Sequence, residues 1–192
     1  KLLENIQRDC NISLINEYSL VMRKLNINFE NVLNAASTKW NFVKLVPGLV
    51  GGHCLAVDPY YLSYKAKIAN YVPNIILASR KLNDEFYKEI LNRIYQIGHK
   101  TKKRKLDILI MGITYKNNCP DVRNSQIFKI IKELKKNKNT VSVYEPLIRK
   151  KAIFEISKKN KFLIYNPIKD KSKKFDLILY SLNHTKFKKF DI

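Results

Sequence analysis

Leu106-Asp107-Ile108-Leu109-Ile110-Met111-Gly112 is a short apolar run closed by glycine. Such a run suits a strand buried on both faces of a parallel sheet. Working outward, Ser125 to Leu134 reads as a helix, Thr140 to Tyr144 as a strand, Ile148 to Ser157 as a helix and Asp176 to Ser181 as a strand. Strand alternating with helix predicts a doubly wound α/β domain over 105–192, with ligands at the C-terminal ends of its strands.

Upstream, His99 to Lys105 is polar and basic and marks the expected domain boundary. Pro73 opens a helix to Ile97 with Ile76, Ser79, Leu82, Phe86, Ile90 and Ile94 in register, and Gly98 reads as its stop. A shorter helical piece covers Tyr61 to Ala69, and another about 30–37. Leu3, Ile6, Cys10, Leu14, Tyr18, Val21 and Leu25 recur every three to four residues, the pattern of an amphipathic helix over 1–25. Between Trp40 and Asp58 the chain is irregular, with turns at Pro47-Gly48 and Gly51-Gly52. Residues 1–98 therefore read as a helical domain. Lys1 sits inside a helical pattern with no cap before it, so the chain reads as the C-terminal part of something longer.

At 192 residues, with 45% hydrophobic and 28% charged, the chain can bury a core and is not a disordered tail. No run approaches the roughly 18 apolar residues of a membrane span, and the first residues lack a signal-peptide pattern. The 37 Lys and Arg against 16 Asp and Glu give +21, a charge that attracts nucleic acid, anionic membrane or phosphorylated ligands. These lysines recur along the whole C-terminal half without forming one arm or stripe, and no nucleic-acid recognition module accompanies them. With abundant Asn and Ile and 5 Gly, they fit the drift of an AT-rich genome on solvated faces. No specific nucleic acid and no membrane is the expectation. Cys10, Cys54 and Cys119 form no CxxC pair and are odd in number, which points away from a disulfide framework and towards a reducing, cytoplasmic compartment.

Two groups of residues have the makings of chemistry. Lys1 and Asn5 stand four apart on one helical face, where an ammonium beside an amide can stabilise an oxyanion; the plainer alternative is a solvated lysine and an ordinary polar asparagine. In Gly51-Gly52-His53-Cys54-Leu55-Ala56-Val57-Asp58, a cysteine follows two glycines in a loop, with a carboxylate four residues on. That arrangement suits an activated thiol with a base or water-orienting partner, and His53 is placed to lower the thiol pKa; the alternative is a cysteine that is simply a small buried hydrophobe.

Three blocks in order, Lys1-x3-Asn5, Pro47-Gly48-Leu49-Val50-Gly51-Gly52-His53-Cys54-Leu55-Ala56-Val57-Asp58-Pro59-Tyr60-Tyr61-Leu62 and Gly112-x3-Lys116-x4-Asp121-x-Arg123-x-Ser125, resemble the UDP-glucose/GDP-mannose dehydrogenase family. The wording around Cys54, with Ser37-Thr38-Lys39-Trp40-Asn41-Phe42 ahead of it, is most similar to the branch that oxidises UDP-N-acetylhexosamines for surface polysaccharides. The resemblance implies an α/β protein with a helical central dimerisation domain followed by a Rossmann-like UDP-sugar-binding domain. It also implies an NAD-dependent, four-electron oxidation of the sugar C6 alcohol to a carboxylate, with Cys54 carrying thiohemiacetal and thioester intermediates and two NAD+ reduced.

By the same resemblance, Lys1 and Asn5 are the oxyanion-stabilising pair and Asp58 orients or deprotonates water. Val46, Pro47, Gly48, Leu49, Val50 and Gly51 line the sugar pocket, Lys116 contacts the nucleotide sugar, and Arg123 reaches the cofactor across the interdomain cleft. Read from the residues alone, Asp121 and Arg123 make a local salt bridge. Lys39, one residue out of register with the match, stands for a basic residue donated across a homodimer interface. The long helix from Pro73 would pack two subunits together. The chain departs from the family pattern in three ways. It has no GxGxxG, so the family's N-terminal dinucleotide-binding domain and its thioester-hydrolysing glutamate lie outside it; Tyr144-Glu145-Pro146 replaces a more usual Asp-Pro; and the final strand is expected beyond Ile192. Alone, the chain is not expected to turn over substrate; the rival reading is an inactive remnant retaining only nucleotide-sugar binding or dimerisation.

Overall fold

The computed structural model describes residues 1–170, 172–188 and 190. It divides into two compact units, Lys1–Phe86 and Tyr87–Ile192. Among the described residues, no helix is long and apolar enough to cross a membrane.

The first unit holds helices α1 (Leu2–Lys24), α2 (Phe29–Ala36), α3 (Asp58–Ile68) and α4 (Asn74–Glu85). Asn28 starts α2 by accepting the Asn31 amide at 3.0 Å. Pro59 occupies the first turn of α3, where its missing N–H costs nothing and Asp58 meets the positive end of the helix dipole.

Helix α1 differs from its sequence reading in which face it buries. Of the apolar series Leu3 to Leu25 only Ile6 is buried, while Leu14, Tyr18, Val21 and Leu25 remain exposed. The buried face is largely polar: Asn5, Asp9, Ser13, Asn16 and Ser19, with Ile6 and Ile15. Helix α4 answers in kind, burying Ser79, Arg80 and Asn83. An ion pair and amide hydrogen bonds among Asp9, Asn16, Arg80 and Asn83 join the two helices, while Ser13 and Ser19 donate back to carbonyls of α1 and Asp9 Oδ2 and Arg80 Nε remain unbonded, so polar residues take the helical period that an apolar core ordinarily shows.

The second unit begins with α5 (Tyr87–Lys100). The helix expected to run unbroken from Pro73 is thus two, with Phe86 between them in αR conformation. Gly98 does not stop α5, which continues to Lys100. It is instead a point of close approach: a Cβ there would lie 3.0 Å from the Leu106 side chain, immediately before the first strand.

Strands β1 (Asp107–Met111), β2 (Thr140–Tyr144), β3 (Leu163–Ile164) and β4 (Leu177–Tyr180) form a parallel sheet in the order β3-β2-β1-β4, with helices α6 (Ile127–Lys136) and α7 (Lys150–Asn160) in the connections. The register runs Asp107↔Thr140 to Met111↔Tyr144 on one side of β1 and Ile108↔Leu177 to Met111↔Tyr180 on the other. β1 is buried along most of its length, as its apolar run requires. Leu109 and Met111 pack with Tyr144 and Phe187 in a cluster joined by Tyr165, Phe175 and Phe190, while Ile108 and Ile110 alternate to the opposite face. Strand order reverses at β1, with β2 on one side and β4 on the other, the kind of switch point at whose C-terminal strand ends open α/β sheets bind ligands.

Gly112, directly after β1, has φ +95°, a conformation that disfavours side chains, and a Cβ there would meet Leu182 at 3.0 Å. The terminal Gly of the apolar run therefore shapes the turn after β1 directly.

Candidate active site

In the first unit, the helical and loop candidates converge. The Asn5 amide Nδ2 donates to Asp58 Oδ2 at 2.7 Å, joining two residues 53 apart in sequence. Asn5 reaches this point because it belongs to the buried face of α1, and Asp58 because it opens α3. The carbonyl of Cys54 accepts the Asp58 amide at 2.8 Å and the Val57 amide at 3.0 Å, so Cys54 sits on the turn that feeds α3. The thiol is half-buried and His53 is exposed, which puts the two neighbours in different surroundings. Lys1 is exposed one helical turn before Asn5, with its carbonyl accepting the Asn5 amide at 3.2 Å.

Asn5 has a second amide hydrogen beyond the one directed at Asp58. An amide held by a carboxylate and set one turn from an ammonium is pre-organised to meet negative charge on oxygen. A carboxylate on the same turn as a thiol can orient or deprotonate water for attack on a thiol-bound carbonyl.

The loop from Val46 to Gly51 is positioned by a residue that sequence reasoning missed. Asn16 forms a reciprocal pair with the backbone of Gly48: Gly48 N donates to Asn16 Oδ1 at 2.8 Å, and Asn16 Nδ2 donates to Gly48 O at 3.1 Å. Asn16 Nδ2 also donates to Asn83 Oδ1 at 3.0 Å. Asn83 Nδ2 donates in turn to Asp9 O at 2.9 Å and Asp9 Oδ1 at 2.8 Å. Arg80, 1% exposed, pairs with the buried carboxylate of Asp9 and donates to Asp84 Oδ1 at 2.8 Å. Tyr60 donates to the other Asp84 oxygen at 2.5 Å. One continuous polar network thus runs from α3 through α4 and α1 to the glycine loop. The signal for it in the sequence was the series Asp9, Ser13, Asn16 and Ser19 at helical spacing, matched by Ser79, Arg80 and Asn83.

One guanidinium serves two carboxylates here. Burial works against the Arg80 charge, but Asp9 and Asp84 together outweigh it and hold its pKa above the ordinary value. Burial raises the Asp9 carboxyl above 3.8 against the pull of Arg80 and Asn83, and the nearby Asp84 adds to the rise.

Lys39 lies exposed in the turns after α2, and Val46 is exposed while Val50 is buried. In the second unit, Lys116 is exposed on the loop after β1, its Nζ 5.6 Å from the Tyr115 ring centroid. Arg123 is forked onto Asp121, with Nε to Oδ2 at 2.9 Å and a second bond at 2.6 Å. That hydrogen-bonded ion pair raises the Arg123 pKa. Its side chain remains 65% exposed, which leaves part of the guanidinium open to an anion. Among the described residues, no group of three or more His, Cys, Asp or Glu could hold a metal ion.

Residues 1–85 match the central domain of the UDP-glucose/GDP-mannose dehydrogenase family, and residues 109–192 match that family's UDP binding domain. The chain belongs to this family, whose named members are nucleotide-sugar oxidoreductases. It is 40% identical over 190 residues to the UDP-N-acetyl-D-glucosamine 6-dehydrogenase of Salmonella typhi, covering 98% of this chain and 44% of that protein. With the enzyme of the same name from Pseudomonas aeruginosa it shares 44% identity over 153 residues, 77% of this chain and 36% of the relative. A solved UDP-D-ManNAc dehydrogenase of Pyrococcus horikoshii superposes with a TM-score of 0.82 at 26% identity, over all of this chain and 43% of its own. The chain thus spans less than half the length of these relatives.

Proposed function

We propose that this chain supplies the thiol-bearing and nucleotide-binding parts of an NAD-dependent 6-dehydrogenase that converts a UDP-N-acetylhexosamine to its uronic acid, for surface polysaccharide synthesis. The observation that carries this reading is the Asn5–Asp58 hydrogen bond, which gathers an oxyanion donor and a carboxylate onto the turn that bears Cys54.

In this account the C6 alcohol loses a proton and a hydride to give an aldehyde. Cys54 sulfur adds to the aldehyde carbon, and Asn5 with Lys1 neutralises the resulting oxyanion. Loss of a second hydride turns the thiohemiacetal into a thioester. Water oriented by Asp58 then attacks the carbonyl, releasing carboxylate and restoring the thiol. Two NAD+ serve as hydride acceptors, one for each oxidation. Arg123 is the one residue of this chain assigned to the cofactor, and its exposed guanidinium suits a diphosphate.

Lys116, on the loop after β1, contacts the nucleotide sugar, while Val46 to Gly51, held through Gly48, lines the sugar pocket. The exposed Leu14, Tyr18, Val21 and Leu25 on one face of α1 support a homodimer, because a patch of this kind is more often covered than left in water. Lys39 is assigned to the interface in that dimer.

The test is binding of UDP to the 192-residue chain by calorimetry. Lys116→Ala is expected to weaken it by about 10- to 100-fold, the loss of a hydrogen bond from a charged donor to phosphate. Equal affinity for the two proteins would remove Lys116 from the site, and no affinity in either would count against the nucleotide reading.

A further inference from the structure

Three features near the strand ends have no role in the chemistry above: the Tyr144-Glu145-Pro146 departure, the Asn183-His184-Thr185 segment after β4, and the asparagines that follow Lys116. The structure brings them together around His184, which is 0% exposed.

His184 Nδ1 accepts the backbone N–H of Asn118 at 2.9 Å. A ring nitrogen that accepts a hydrogen bond carries no proton, so the neutral ring has its hydrogen on Nε2. Nε2 faces Thr114 Oγ1 at 3.3 Å and Glu145 Oε2 at 3.4 Å. Thr114 Oγ1 spends its own hydrogen on the carbonyl of Lys116, at 3.0 Å, and is therefore the acceptor for Nε2–H. The imidazole thus grips both sides of Lys116: its carbonyl by way of Thr114, and the chain two residues later by way of the Asn118 amide.

Further bonds complete the seam. Asn117 Oδ1 accepts the Asn183 amide and Asn118 Oδ1 accepts the Thr185 amide, each at 2.8 Å. Asn118 has φ +55°, a left-handed conformation that asparagine tolerates better than most residues. Glu145 accepts the Ile113 amide through Oε2 and the Leu147 amide through Oε1, both at 2.9 Å. The carboxylate at this departure therefore ties the turns after β1 and β2 together, one bond from each oxygen. Phe187, on the turn after His184, packs edge-on against the ring with centroids 4.9 Å apart.

We propose that His184 is a positioning residue: as the Nε2–H tautomer it pins the loop carrying Lys116 across the ends of β1, β2 and β4, and nucleotide affinity depends on it although it touches no ligand. The affinity half rests on the nucleotide-sugar reading of Lys116; the pinning half does not.

Two conservative variants separate the ring's two functions. In His184→Asn the side-chain oxygen stands near the place of Nδ1 and keeps an acceptor for Asn118. In His184→Gln the amide extends towards the place of Nε2 and loses that acceptor. Amide hydrogen exchange at Asn118 is expected to speed up in His184→Gln and to stay near wild type in His184→Asn. UDP is expected to bind His184→Gln about tenfold more weakly, the effect of one lost hydrogen bond in the scaffold, with His184→Asn close to wild type. In the unmodified protein, 15N resonances of the imidazole are expected to show a bare Nδ1 and a protonated Nε2. A protonated Nδ1 overturns the proposal whether or not either variant folds, as does unchanged Asn118 exchange in a folded His184→Gln. If wild type fails to bind UDP, the nucleotide reading falls, while pinning is still decided by the exchange and 15N results. UDP affinity unchanged in His184→Gln alongside faster exchange would overturn the affinity half alone.

Discussion

Cys54→Ser is expected to cut uronate formation by about 1,000-fold or more, because removing a nucleophile that forms a covalent intermediate forfeits the step it makes possible. A serine hydroxyl is almost wholly protonated near neutrality and is a far weaker nucleophile than a thiolate. The first oxidation does not require the thiol, so the variant should release aldehyde, captured by hydroxylamine, with one NADH per sugar. Mass spectrometry of the quenched reaction should find acyl-Cys54 in the parent protein and none in the variant. Normal uronate production by Cys54→Ser would end the assignment of Cys54 as nucleophile. The distinction matters because Cys54 is only half-buried, and packing alone makes modest demands on such a side chain.

Arg80→Ala is expected to have the largest effect on stability, about 3–5 kcal/mol, read as a lower urea midpoint. The loss comes less from the pair's own attraction than from what is left behind, chiefly Asp9 buried without its cation, since Asp84 keeps its bond from Tyr60. Arg80→Met combined with Asp9→Leu should recover much of it, since apolar replacement of a buried pair is often close to neutral. The recovery would be partial because Asn83 also donates to Asp9 Oδ1. The same network ends on Gly48 through Asn83 and Asn16, so Arg80→Ala should also loosen the glycine loop, seen as faster exchange of the Gly48 amide. An unchanged urea midpoint would mean that the network contributes little to holding the helices together.

The second unit was the more legible in sequence. Its strands are short apolar runs bounded by turns, and its alternation of strand and helix leaves few topologies. The strand at Leu163–Ile164 escaped notice because two residues give no periodicity to read. In the first unit the apolar period of α1 is real but describes a mostly exposed face, while Asp9, Asn16, Arg80 and Asn83 are the buried residues. Polar residues at helical spacing announce a surface unless their partners are known, and Asp9 and Asn83 lie 74 residues apart. The same limit applies to the site. Asn5, Cys54 and Asp58 stood out by type and spacing, whereas Asn16 and His184 act through backbone groups of distant loops, which side-chain patterns do not reveal.

A four-electron oxidation through one thiol is tested most directly by the ratio of NADH to uronate. The protein purified from its source, given UDP-N-acetylglucosamine and NAD+, is expected to form two NADH for each uronate, with no free aldehyde. One NADH per sugar with aldehyde as the product, or no oxidation of any UDP-N-acetylhexosamine, would contradict it.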